Sequence, residues 1–196
     1  MSYNQVMKIK SAEKEERIYE VVLQLTQEVG LAGLRISDIA KEADLAHGTL
    51  YIYFKNKKEL INQLYKKIKS RVSAELLPEN IEEYSIKEGM QLVWKNYLHY
   101  LAHNQIEIHF MSQCASSNIL DDSNKSISDS FMKKTKSFFQ KGIDSSDIKD
   151  LDIELLISVF KGMTHDIALQ INQKKLDYTP KLLEDSFEIY WHGIRK

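Results

Sequence analysis

The chain has 196 residues, of which 43% are hydrophobic and 28% charged, with 7 Gly, 2 Pro and a single Cys. That is ordinary globular composition for one or two domains, and it leaves little room for a turn-rich all-β fold. Cys114 has no second cysteine to pair with and fits a reducing cytoplasm, no apolar run approaches the roughly 18 residues of a membrane span, and the N-terminus lacks an apolar signal core. The net charge of -1 hides an asymmetry: residues 1–71 carry 13 Lys and Arg against 9 Asp and Glu, a net +4, while residues 72–196 carry 14 against 19, a net -5. A basic N-terminal part suits a protein that sets one end on phosphates.

Residues 1–10 read as frayed. Ser11 is placed to cap a helix whose first turn holds Glu13, Glu15 and Glu16. Ile18, Val21, Val22, Leu25 and Val29 then recur at helical spacing, with Gly30 as the stop. Gly33 allows a turn, and Ser37 is the expected N-cap of a second helix that buries Ile39, Ala40 and Ala43. After a turn at Asp44-Leu45-Ala46, with Leu45 expected inside, a third helix covers about 47–54. Leu50 and Phe54 lie four apart on one face, which must be the inner one. That leaves His47, Gly48, Thr49, Tyr51, Ile52 and Tyr53 around the outside. Asn56 can cap a fourth helix, which runs through Ile61, Leu64 and Ile68 to Leu76 or Leu77, where Pro78 ends it.

Beyond Pro78 the pattern stays helical. It predicts helices over about 85–103, 105–116 and 124–141, the last stopped by Gly142, with a polar connection at 116–123. Two amphipathic helices, about 150–173 and 179–194, close the chain. The fold class expected is therefore all-α.

Residues 36–60 have the layout of a helix-turn-helix, whose second helix lies in the DNA major groove. Thr49 and His47, at the start of that helix, can donate to base edges or phosphates. Gly48 would let the backbone approach DNA, and Tyr51 and Tyr53 can bond phosphates through their hydroxyls. Lys57 would meet a phosphate at a helix N-terminus, and Ser37 could do so beyond its capping role. The plain alternatives are a solvated His47, simple helix-start geometry at Gly48, part burial of Tyr51 and a free surface Lys57. Lys8, Lys10 and Lys14 could form an arm along the backbone, although a solvated tail explains Lys8 and Lys10 as well.

The ordered set Gly30, Ile39-Ala40, Leu45, Gly48-Thr49-Leu50-Tyr51, Tyr53-Phe54, Asn56-Lys57 and Leu60 resembles the N-terminal domain of the tetracycline-repressor (TetR) family of bacterial transcription regulators. The resemblance covers about a quarter of the chain. It implies a DNA-binding domain at 1–56, three helices with an N-terminal arm, and a helical ligand-binding and dimerisation domain at 57–196. It also implies a homodimer, here expected through helices 150–173 and 179–194, reading a near-palindromic double-stranded operator. Most such regulators are repressors released by a small molecule, although activators use the same domain. Phosphate contact by Tyr53 follows the family's usage, and His47 sits where the family varies.

By residue type, the candidates for an inducer pocket are Trp94, Tyr97, Leu101, Phe110, Met111, Cys114, Phe131, Phe138, Phe160, Met163, Thr164 and His165. Aromatic walls with few polar groups suit a small apolar ligand, and equally suit any helical core. His99 and His103, four apart with Glu107 four further on, have metal-compatible spacing, but no histidine or cysteine cluster accompanies them, and a polar turn near Asn104 separates Glu107. Neither a metal site nor a redox role for Cys114 is expected, and no cofactor is. The chain has no nucleophile elbow, phosphate loop or zinc-protease motif, so an enzyme is not expected.

Overall fold

The computed structural model describes the backbone of residues 3–78 and 80–196, and side chains from residue 12 onward except residue 79. The described residues form nine α-helices and no strand. They divide into two compact units, one of residues up to 68 with 106–125, the other of residues 69–105 with 126–196.

In the first unit, α1 spans Tyr3–Gly33. It begins earlier than the capping potential of Ser11 suggests, and Ser11 lies inside it. The side chains of Lys8 and Lys10 lie outside the described residues. Ile18, Val21 and Val22 are buried, as the helical spacing requires. Gly30 breaks the helix at φ 72°, ψ 163°, a conformation that is essentially closed to residues with a Cβ. The break frees the Leu31 peptide, and side chains take up both its ends. Leu31 N donates to Gln113 Oε1 at 2.6 Å, and Lys57 Nζ donates to Leu31 O at 2.8 Å.

Helix α2 spans Ile36–Glu42. Ser37 does not cap it. The first turn closes on Arg35, whose carbonyl accepts from Asp38 N and Ile39 N, while Ser37 Oγ donates to Asp38 Oδ1. Leu34, buried just upstream, fixes the entry of the chain two residues sooner than a capping hydroxyl would. The helix ends with Leu45 N bonding Ala40 O, Asp44 N bonding Lys41 O, and Asp44 at φ 57°. That is a Schellman ending with aspartate in the position usually held by glycine. Helix α3 spans His47–Tyr53. Leu50 and the following Phe54 are buried as expected, whereas Leu45 is only half-buried.

Helix α4 spans Lys57–Leu76, beginning in the first unit and ending in the second. Asn56 caps it, accepting from Glu59 N at 2.9 Å. Helix α6, Gln105–Ala115, and the segment after it pack with the first unit. Asn62 of α4 holds that segment. Its Nδ2 donates to Lys58 O and Ile119 O, and its Oδ1 accepts from Asp121 N and Asn124 Nδ2.

In the second unit, α5 (Ile86–His103) opens with a reciprocal capping box between Ser85 and Glu88. Its Trp94 is fully buried. Tyr190 stacks on it at 5.1 Å, Phe160 and Phe187 meet it edge-on, and its indole N–H donates to Ser186 Oγ at 3.1 Å. Helix α7 spans Asp122–Asp144 and runs through Gly142 rather than stopping there. A Cβ on Gly142 would lie 3.0 Å from Ile86, and one on Gly89 only 2.6 Å from Phe138. These glycines serve the close packing of α7 against α5. Helix α8 (Ile153–Asn172) is capped by Asp152 and α9 (Pro180–Ile194) by Thr179.

Candidate nucleic-acid interface

Only Leu50 of α3 is buried. The opposite face is open. His47 and Tyr51 stand exposed and lean on each other, ring centres 5.4 Å apart. Gly48 is exposed, and a Cβ there would meet nothing within 4 Å, so nothing inside the protein demands glycine. Thr49 and Tyr53 are half-buried, and the Tyr53 ring lies 6.3 Å from that of Phe54. Tyr51 meets His47, not the first helix. It is Tyr19 of α1 that packs on Phe54. Ile52, which the sequence puts outside without giving it a role, is 80% exposed. A large aliphatic side chain this open on a short helix is the signal that helical spacing alone does not weigh.

Lys57 is engaged through Leu31 O, and burial lowers its pKa. Its ammonium has three donors, so this bond fixes where the remaining two point without using them. Ser37 is exposed at the first turn of α2, and Lys14 is exposed on α1.

The inducer-pocket candidates fall in both units. Phe110, Met111 and Cys114 belong to the first, and the others to the second. Cys114 is fully buried, and burial pushes its thiol up to about 12, so it packs as a small apolar residue. In the second unit, Trp94, Leu101, Phe138, Phe160 and Thr164 are buried, Thr164 bonding Phe160 O at 2.8 Å. Met163 packs partly buried beside them. Tyr97, whose phenol burial pushes up to about 12, stacks on Phe160 and meets His165 Nε2 at 2.7 Å. Phe131 lines a cavity of about 330 Å³ between the end of α4 and the middle of α7. His99 and His103 stack at 4.3 Å, and His99 Nδ1 bonds Tyr178 Oη at 2.9 Å, while Glu107 lies in the other unit.

Two family models match the chain. One, described as bacterial regulatory proteins, tetR family, matches residues 18–64. The other, described as tetracyclin repressor-like, C-terminal domain, matches residues 58–196. An uncharacterized HTH-type transcriptional regulator of Haemophilus influenzae is 27% identical over 181 residues, covering 92% of this chain and 95% of that protein. The fatty acid metabolism regulator protein of Bacillus subtilis is 28% identical over 170 residues, covering 84% and 87%. Among solved structures, a TetR family regulator from Marinobacter aquaeolei superposes with a TM-score of 0.83 at 17% identity, over 96% of this chain and 99% of that one. The transcriptional regulator FadR of Bacillus subtilis, solved in complex with stearoyl-CoA, does so at 0.67 and 23% identity, over 92% and 99%. At these identities the two structures share the fold.

Proposed function

Since the chain belongs to the tetR family of bacterial regulatory proteins, a family of helix-turn-helix transcriptional regulators, we propose that it works as a homodimeric repressor released from its operator by a small molecule, without a catalytic step of its own. The observation that carries this reading is the open face of α3. Gly48 has free space around it, His47 and Tyr51 are exposed, and Ile52 projects to solvent, while Leu50 alone faces inward. Thr49 and His47 would meet base edges and Ile52 a thymine methyl. Tyr51, Tyr53, Ser37 and Lys57 would hold phosphates, with Gly48 allowing close approach. The reading domain is 1–56, the remainder forms the ligand-binding and dimerisation domain, and the protein works in the cytoplasm, where its operator is.

The second subunit is a copy of this chain, docked on α8 and α9. Leu155, Val159 and Leu169 form an exposed apolar stripe along α8, and Ile189 stands exposed on α9. A two-fold pair would set two reading helices roughly 34 Å apart on a near-palindrome. The inducer shifts the dimer only as far as it prefers the released state. Its pocket draws on the aromatic residues around Tyr97, Phe131 and Phe160, and the name of the Bacillus subtilis relative supports a fatty, largely apolar ligand.

The test is capture of genomic fragments by the purified protein. A palindromic motif upstream of a few genes supports the reading, and equal affinity for random and captured DNA at moderate salt refutes it. Lys57→Ala should weaken binding across sequences and reduce the salt slope by about 1.

A further inference from the structure

Leu31 follows the break at Gly30, and side chains of two other helices hold its backbone from opposite ends. Its N–H donates to Gln113 Oε1 of α6 at 2.6 Å, and its C=O accepts at 2.8 Å from the ammonium of Lys57, the first residue of α4. Gln113 lies over the break itself, since a Cβ on Gly30 would come 3.5 Å from the same Oε1. The Leu31 side chain is buried, which anchors the residue between its two partners. All of these groups belong to the first unit.

The chemistry of the donors fixes the orientation of the glutamine. A backbone N–H only donates, so the amide atom that faces Leu31 must be the oxygen. The amide nitrogen then points the other way and meets His109 Nε2, one turn back on α6, at 2.6 Å. An amide nitrogen also only donates, so this ring nitrogen is the one without a proton, and His109 carries its proton on Nδ1. Turning the amide over would set one N–H against another at Leu31. His109 therefore selects, of the two amide orientations, the one that Leu31 needs.

The geometry points to Gln113 as a positioning residue for the operator contact of Lys57. Gln113, oriented by His109, fixes Leu31, and Leu31 O fixes the ammonium whose two remaining donors would reach a phosphate. This role rests on the phosphate contact proposed for Lys57 above. A lysine side chain is otherwise a flexible stem, and ordering it in the free protein removes part of the cost of ordering it on DNA.

The experiment titrates the full chain, over a range of salt, against a fragment recovered in the genomic capture. Gln113→Leu changes no charge and lies on another helix, yet it should weaken binding several-fold and lower the salt slope toward that of Lys57→Ala. In the Lys57→Ala background the same change should cost nothing further. Asn124→Ala removes the amide that bonds Asn62 elsewhere in this unit. It should lower the melting temperature and keep the parent's slope, which separates positioning from lost stability. Nitrogen-15 NMR of the free parent at alkaline pH should find the His109 proton on Nδ1. A Gln113→Leu protein with the parent's slope overturns the proposal. So do equal losses with and without Lys57, a lowered slope in Asn124→Ala, or a proton on His109 Nε2. Lys57→Ala with the parent's slope instead refutes the phosphate contact in the reading above, and leaves Gln113 nothing to position.

Discussion

Ile52 illustrates how a single side chain becomes informative only in three dimensions. An isoleucine open to water buries nothing and so contributes nothing to the fold. A thymine methyl would give it apolar surface to bury. Ile52→Ala should leave the melting temperature unchanged and weaken operator binding by about 1–2 kcal/mol. Replacing the contacted thymine with uracil should weaken the parent protein by a similar amount and the variant hardly at all, read by gel-shift titration. His165 makes a second residue-scale prediction. Burial and the charge of Lys161 lower its pKa below the ordinary 6.5, so the fold favours the neutral ring beside the Tyr97 hydroxyl. Below pH 6.5 the unfolded chain then binds the proton more readily, and stability falls as the pH drops through that window, while above it His165 contributes no slope. His165→Gln should flatten the melting temperature between pH 7.5 and 5.5 relative to the parent.

At the scale of elements, the turn between α2 and α3 sets the angle of the reading helix. Its Asp44 holds φ at 57°, which aspartate tolerates and a β-branched residue does not. Asp44→Val should destabilise the first unit by about 1–2 kcal/mol, while Asp44→Asn is near neutral, as measured by denaturant unfolding. This turn and the helices beside it were legible from sequence because their determinants are local. Apolar spacing puts Leu50 and Phe54 inside, Asn56 caps α4, and a glycine ends the regular part of α1. What misleads is also local. Ser11 and Ser37 have the chemistry of caps, but Leu34 anchors the chain so that α2 closes on Arg35. Gly142 has the chemistry of a stop, but its role is to let Ile86 and Ile148 approach. That Lys69 lies over the Phe131 ring has no sequence signature, since it depends on which face of α4 meets α7.

For the whole molecule, the apolar stripe of α8 makes an assembly prediction. Leu155 is 52% exposed and Ile189 68%, and a copy of the chain would cover both. Leu155→Glu together with Ile189→Glu should convert the dimer to a monomer in sedimentation. Operator affinity should then fall steeply, because each half-site is bound alone, whereas the monomer should keep its helical content. A double variant that still sediments as a dimer moves the interface elsewhere.

The bond between Gln113 and the Leu31 peptide, and the four bonds of Asn62 to Lys58, Ile119, Asp121 and Asn124, have a consequence for how the protein is made. The unit that carries the reading helix is discontinuous along the chain, and its last piece ends at residue 125. At synthesis rates of roughly 5–20 residues per second, residue 125 follows residue 68 by about 3–11 s. Through that interval the nascent N-terminal segment has an unclosed Leu31 peptide and an Asn62 without its main partners. The unit that carries the reader gains these last hydrogen bonds only once the chain has passed through the first helix of the second unit, so an interrupted translation product lacks the ties that Gln113 and residues 119–124 make to α1 and α4.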